Sequence, residues 1–243
     1  MGHIQDWYIS DRLKIRYMLS PSSSPSSRVL LWFPGTGGAL GNKTKPTAFF
    51  EILGINRIIW AQEREPFSWG NTVDIELLCN KLGELIKNKE LLVFGNSMGG
   101  FLSILLSKYL KPTKVIAVNP QYSVHSDIVP EKRWSEYVKA IPEFKYKDLS
   151  DSFMPDIDYA VMFGEDEQDQ MHFDLFERHS ASPNVQNIKF LDYKSENGES
   201  VHEAGRYLGK LNLFRPTMSR FYNGQSLKEL YAKKSINTSG VKY

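Results

Sequence analysis

The chain holds a single cysteine, Cys79, in 243 residues, so no internal disulfide can form and a reducing compartment is the natural expectation. No apolar run approaches the length of a membrane span, and the first nine residues lack an apolar signal core. A soluble, cytoplasmic protein without a membrane span is therefore expected. Lys and Arg number 30 against 28 Asp and Glu, a formal net charge of +2. That balance gives no electrostatic ground for a nucleic-acid partner. No internal repeat is evident, and nothing speaks to oligomeric state. Asp166, Asp169 and His172 fall at i, i+3 and i+6, which spreads them too far round a helix for a compact metal site, so neither metal nor cofactor is expected. What remains is ordinary: 41% hydrophobic and 24% charged residues, in a length that suits one α/β domain with a sizeable core. Cys79 lies in an apolar-periodic segment, and packing is its expected role.

Apolar runs alternate with turn residues along the chain. Residues 7–9 and 13–19 read as short strands, the second with Leu13, Ile15 and Tyr17 alternating with Lys14, Arg16 and Met18, as on a half-exposed antiparallel edge. The Ser/Pro tract 21–27 reads as a solvated loop rather than a domain linker. Val29-Leu30-Leu31-Trp32-Phe33 is continuous, as in a strand buried on both faces. Strands are also expected at 57–61, 91–94, 115–118, 159–163 and 187–193. A helix capped by Asn71 or Thr72 should run to about Lys87, with Ile75, Leu78, Leu82 and Leu85 as its apolar stripe. Another should follow at 171–179, and a final one at 203–211. Strand and helix alternate, so a mostly parallel central sheet with helices on both faces is expected. Between residues 121 and 155 the alternation stops in an aromatic-rich stretch that reads as a small cap insertion over the carboxyl edge of the sheet. Pro130 could open a short helix there, through Trp134 and Val138. Residues 215–243 form a basic C-terminal extension. Ser226-Leu227-Lys228-Glu229 has capping-box spacing for a last short helix, and a frayed tail is expected after it. One domain, 1–243, contains all of this.

The informative stretch is Leu91-Leu92-Val93-Phe94-Gly95-Asn96-Ser97-Met98-Gly99-Gly100. An apolar strand runs into Gly-x-Ser-x-Gly, and an apolar-periodic helix follows at once, reaching about Leu110. This is the pattern of a strand, a sharp turn and a helix that lifts a serine hydroxyl clear of the sheet. Residues two before and two after the serine must lack side chains for strand and helix to approach so closely.

A serine hydroxyl needs a base, the base needs an orienting carboxylate, and the developing oxyanion needs two donors. The amide of Met98 comes with the turn. The second donor is expected from Pro34-Gly35-Thr36-Gly37-Gly38, at the end of the 29–33 strand, with the Thr36 amide first choice and Gly35 or Gly37 as alternatives. The acid should follow the 159–163 strand, where Asp166 is preferred, with Asp169 and then Glu167 behind it. The base should follow the last strand, and His202 alone of five histidines combines a glycine-containing loop with the right chain order. His3, His125, His172 and His179 read as structural or solvated. His172 is the one that neighbours the acid loop.

Together these residues resemble the α/β-hydrolase superfamily of serine hydrolases, over nearly the whole chain. The loop Pro34-Gly35-Thr36-Gly37-Gly38 is similar to the family's His-Gly-x-Gly-Gly form with Pro34 in place of the histidine, and the acid loop is a residue shorter than the common Gly-x-x-Asp form. A narrower likeness rests on Asn119-Pro120-Gln121-Tyr122, Arg133-Trp134 and Asp166-x-x-Asp169-x-x-His172, which resemble bacterial hydrolase-like proteins found with polysaccharide-biosynthesis machinery. The first resemblance implies an α/β-hydrolase fold and attack of Ser97 on a carboxylic ester or thioester. The second implies a glycan or acylated-sugar ester as the substrate. Acyl transfer by the same triad, or a binding protein that keeps the fold, are the alternatives. Trp69, Tyr122 and Trp134 are the candidate substrate-binding residues, with Trp60, Phe67 and Tyr137 near them in kind. No long hydrophobic lid stands out, which argues against a bulk-lipid substrate.

Overall fold

The computed structural model describes residues 4–20, 26–36, 47–164, 166–179, 185–190, 213–231 and 236–239. Among them the strands are β1 (Ile4–Ile9), β2 (Leu13–Leu19), β3 (Arg28–Phe33), β4 (Arg57–Glu63), β5 (Glu90–Asn96), β6 (Lys114–Val118), β7 (Asp158–Phe163), β8 (Val185–Phe190) and β9 (Ile236–Ser239). They form one sheet in the order β1-β2-β4-β3-β5-β6-β7-β8-β9, with β5 at its centre. From β4 to β8 neighbours run parallel, while β1, β2 and β9 join antiparallel at the two sides. The tail expected to fray thus contributes a pairing strand at 236–239. Backbone hydrogen bonding to β8 supplies order that its polar composition does not advertise.

The continuous apolar runs resolve into two faces. Val29, Leu31 and Phe33 of β3, Val93 of β5, Val115 and Ala117 of β6, and Tyr159, Val161 and Phe163 of β7 point to one side. Leu30, Leu92, Phe94, Ile116, Val118, Ala160 and Met162 point to the other. The first face is covered by α2 (Ile75–Ile86), α3 (Met98–Leu105) and α6 (Glu167–His179), through Leu78, Leu82, Phe101, Leu105, Phe173 and Phe176. α4 (Ser107–Leu110) continues from α3, and α5 (Ser135–Lys139) lies in the 119–157 connection. The second face is covered by α1 (Thr47–Leu53) and α7 (Phe214–Tyr222), with Tyr231 of α8 (Lys228–Tyr231) beside them. Part of the basic C-terminal region is therefore core. Met218, Phe221 and Tyr222 are buried, and the Tyr222 hydroxyl donates to the Val93 carbonyl.

The α2 stripe is as expected, but its cap is Asp74, whose side chain accepts from the Leu77 amide at 2.9 Å. Asn71 is occupied elsewhere: it donates to the Ser68 carbonyl and accepts from the Tyr146 amide at 2.8 Å. The 64–74 loop and the 119–157 connection meet at this point, and also through Phe67 against Tyr137 and Trp69 against Trp134.

The strand order reverses between β3 and β5. The chain leaves β3 for β4 on one side, then crosses back to place β5 on the other. In open α/β sheets ligands bind at the carboxyl edge beside such a reversal. Glycine permits the approach. A Cβ on Gly95 would lie 2.2 Å from the Gly99 carbonyl oxygen, and one on Gly99 would lie 1.9 Å from that of Phe33. Gly83, inside α2, faces open space instead. Gly99→Ala is expected to cost about 3 kcal/mol or more through overpacking against backbone, while Gly83→Ala gains about 0.5–1 kcal/mol from helix propensity. Urea unfolding midpoints at unchanged m-value check both.

Candidate active site

Ser97 stands at the β3/β5 switch point, between β5 and α3. Its backbone is left-handed, with φ 53° and ψ −124°. A non-glycine residue holds such a conformation only where the surroundings over-determine it. Here the Ser97 amide donates to the Val118 carbonyl at 2.8 Å, and its carbonyl accepts from Phe101 at 3.1 Å, the first turn of α3. The hydroxyl is thereby pinned at the N-terminus of a buried helix. Met98 is the first residue of that helix, where an amide has no intrahelical carbonyl to bond. The loop after β3 passes alongside: a Cβ on Gly35 would lie 3.2 Å from the Ser97 Cβ. Thr36 is the next residue along. Pro34 is buried, and Gly37 and Gly38 lie outside the described residues. Ser97 is 5% exposed, so electrostatic interactions at its hydroxyl are weakly screened.

The turn after β6 supplies a neighbour that sequence reasoning did not single out. Asn119 is left-handed at φ 46°, and its amide donates to the Met162 carbonyl. The chain then folds back against α3, close enough that a Cβ on Gly100 would lie 2.9 Å from the Pro120 Cβ. This turn puts the fully buried Gln121 beside Ser97, with Nε2 donating to Oγ at 3.3 Å. The Oε1 atom of Gln121 accepts from the indole N–H of Trp69 at 2.9 Å. Trp69 is itself left-handed at φ 50° and fully buried. The Glu63 carboxylate at the end of β4 holds the loop that carries it, accepting from the Ser68 amide at 2.7 Å, the Gly70 amide at 3.1 Å and the Ser68 hydroxyl. The Asn-Pro dipeptide at a strand end was the available signal for this turn. Nothing local marked which side chain after it would face the serine.

Next to the Asn119 turn lies a partly buried cluster of charges. Arg133 reaches Asp166 and Asp169 through Nη1, both at 2.9 Å, and Glu131 through Nη2 at 2.6 Å. Asp169 also accepts from Asn119 Nδ2 at 2.5 Å, which ties α6 to the carboxyl end of β6. Asp166 is the N-cap of α6: its Oδ1 accepts from the amides of Gln168 at 3.0 Å and Asp169 at 3.2 Å. His172 accepts the Tyr122 amide at Nδ1, 3.2 Å, so its proton is on Nε2, which lies 3.0 Å from Glu131. That tautomer is the neutral ring. Burial lowers the His172 pKa below its ordinary 6.5, although Glu131 pulls the other way. Burial would raise the Glu131 carboxyl, but hydrogen bonds from His172 and Arg133 outweigh it and hold the group well below the usual carboxylate range.

The structure thus brings Ser97, Met98 and the Gly35–Thr36 loop together, with Asp166 and Asp169 on one arginine nearby. His202 and the helix expected after it lie outside the described residues, as do Glu165 and the Ser/Pro tract to residue 25. His172 has both ring nitrogens engaged within the cluster. Trp69 and Tyr122 are buried, Tyr122 with its ring edge-on to Phe176, and Trp134 is half-buried beside Trp69. Burial raises the Cys79 thiol to about 11, in keeping with a packing role. Among the described residues no group of His, Cys, Asp and Glu is arranged to hold a metal ion, and no helix is long and apolar enough to cross a membrane.

No family model and no curated protein matches this chain. Among solved structures it is similar to the Pyrococcus furiosus esterase Pf2001, at 13% identity over 93% of each chain, with a TM-score of 0.57. It is also similar to XC6422 from Xanthomonas campestris, described as an a/b serine hydrolase without lid, at 17% identity over 91% of this chain and 94% of that one, TM-score 0.56. A third is the Glycosylation Associate Protein (Gap123) complex from Streptococcus agalactiae, at 11% identity over 95% of this chain and 47% of that one, TM-score 0.58. The chain has the α/β-hydrolase fold.

The charged cluster makes stability depend on pH with a definite sign. The unfolded chain takes up a proton at His172 below about pH 6.5, and the folded chain, with its lowered pKa, does not. Stability therefore falls from there as the pH drops. The depressed Glu131 contributes stability above about pH 4.5, which is lost on further acidification. His172→Gln is expected to remove the first phase and keep the second, as read by melting temperature against pH. Arg133→Met leaves the Glu131 and Asp169 carboxylates buried without their cation, and is expected to cost about 3–5 kcal/mol at neutral pH.

Proposed function

We propose that the chain is a serine hydrolase that cleaves a carboxylic ester or thioester through an acyl-enzyme on Ser97. The observation that carries this is the strained, left-handed Ser97 at the N-terminus of α3, with the Gly35–Thr36 loop packed against it. A purely structural serine has no need of that backbone. In the proposed reaction His202 takes the Ser97 proton as Oγ attacks the carbonyl carbon. The amides of Met98 and Thr36 receive the oxyanion, each worth about 3 kcal/mol. His202 then returns the proton to the departing alcohol or thiol, and water repeats the sequence on the acyl-enzyme.

Either Asp166 or Asp169 would orient His202. Asp166 holds the expected place just past β7, but its Oδ1 already caps α6 and meets Arg133. Asp169 is fully buried and bonded to Asn119 at the sheet edge, which favours it as the acid. The proposed substrate is a small, soluble ester, with acylated sugars first. The likeness to a protein named for glycosylation supports that choice, as does the half-buried Trp134, whose ring face suits a sugar. The same acyl-enzyme passed to a sugar hydroxyl would make the protein an acyltransferase.

A fluorophosphonate probe should label the wild type and leave Ser97→Ala untouched. On a panel of p-nitrophenyl esters and acetylated sugars, Ser97→Ala or His202→Ala should lower turnover by up to about 10⁶-fold. Asp169→Asn should lower it by about 10⁴-fold and Asp166→Asn by less than about tenfold if Asp169 is the orienting acid. Persistent labelling of Ser97→Ala would sink the assignment.

A further inference from the structure

The Ser97 hydroxyl has a built donor in the turn after β6, and its polarity is fixed by chemistry. An indole N–H can only donate, so the Gln121 atom 2.9 Å from Trp69 Nε1 must be its carbonyl oxygen. The atom facing Ser97 Oγ at 3.3 Å is therefore the amide nitrogen, which can only donate. At 3.3 Å the interaction is long for a hydrogen bond. Gln121 and Trp69 are both fully buried, and Trp69 is locked in a left-handed backbone by the three donors on Glu63. A core amide this heavily constrained has one orientation available.

We infer that Gln121 is a catalytic residue, whose amide N–H occupies one Oγ lone pair of Ser97 and so sets the direction of the hydroxyl proton, with Trp69 as the positioning residue that fixes the amide. The inference rests on the reading of Ser97 as nucleophile. With the Gln121 side occupied by a donor, the Oγ–H bond cannot point there and turns outward, towards a base. In acylation that proton passes to the base as Oγ bonds to the carbonyl carbon. In deacylation the carbon–Oγ bond breaks, and the electron pair that returns to Oγ meets the same N–H before the base returns the proton. Gln121 itself neither gains nor loses a proton in either step. Trp69, considered from sequence as a substrate contact, acts in this account from behind the site.

The test is the second-order rate of fluorophosphonate labelling against pH, for the wild type, Ser97→Ala, Gln121→Met, Gln121→Glu, Trp69→Phe and Trp69→Phe/Gln121→Met. Gln121→Met, of similar length with no donor, is expected to label about ten- to a hundredfold more slowly across the pH range. Gln121→Glu should work while the introduced carboxyl is protonated and can donate, then fall towards the Gln121→Met rate as it ionises, so its alkaline limb bends down where the wild type's does not. Trp69→Phe keeps Gln121 but frees the amide to rotate. It should slow labelling by about three- to tenfold alone, and add nothing in the Gln121→Met background. Labelling of Gln121→Met within twofold of wild type, a Gln121→Glu profile of wild-type shape, or independent multiplication of the Trp69 and Gln121 losses would each overturn the inference. If Gln121→Met does not fold, Trp69→Phe and Gln121→Glu carry the test alone. Labelling that survives Ser97→Ala overturns the nucleophile itself. Loss of label there with full rates at Gln121→Met removes only Gln121.

Discussion

The architecture depends on one contact: the backbone of α3 lying almost directly on the end of β3. The Phe33 carbonyl sits where any side chain at position 99 would be, and the Gly99 carbonyl sits where one at position 95 would be. Strand, turn and helix are therefore compressed into a space that only backbone can share. The left-handed conformation of Ser97 is the consequence. The turn is held by Val118 on the neighbouring strand and by the first hydrogen bond of the helix, so its strain is sustained by the central strands of the sheet.

Strain is not confined to the serine. Of the non-glycine residues with left-handed backbones among those described, Trp69, Ser97 and Asn119 come from three different strand ends and meet in one network. Trp69 and Ser97 are the two partners of Gln121, and Asn119 begins the turn that delivers it. Bulky residues in this conformation cost of order 1–3 kcal/mol each. Their convergence at the carboxyl edge of the sheet is the pattern of a site whose geometry is imposed by the fold rather than chosen locally.

The second dependence is electrostatic. The 119–157 connection has little regular structure among its described residues, yet it is tied down at both sides. Glu131 and Arg133 engage α6, and Asn71 and Phe67 engage its far side. A half-buried arginine shared by three carboxylates specifies geometry more than it stabilises, because the desolvation of so many charges offsets much of their attraction. Here that geometry includes both candidates for the orienting acid. Any movement of the connection would therefore be felt at Asp166 and Asp169 together.

Local patterns determined much of this. The central strands were legible because a strand buried on both faces must be apolar throughout. The α2 stripe showed because a helix with one buried face repeats every three to four residues. The elbow showed because its sterics demand glycines at fixed spacing from the serine. The alternation of strand and helix then carried the parallel sheet. Other features were decided only in three dimensions. Asp74 displaced Asn71 as the cap because Asn71 was claimed by Tyr146, 75 residues away. The polar strand 236–239 is ordered by pairing with β8, and helix 214–222 by covering a sheet face that no local pattern assigned to it. Asp166, the acid preferred from sequence, also caps α6 and shares its arginine with Asp169, an arrangement set by where α6 begins. Gln121 appeared in sequence only inside the Asn119-Pro120-Gln121-Tyr122 stretch, with nothing to mark its side chain as a neighbour of Ser97. Its amide became meaningful when an indole N–H from one loop and a serine hydroxyl from another closed on its two ends, and such pairings are made by tertiary packing between residues that no sequence spacing relates.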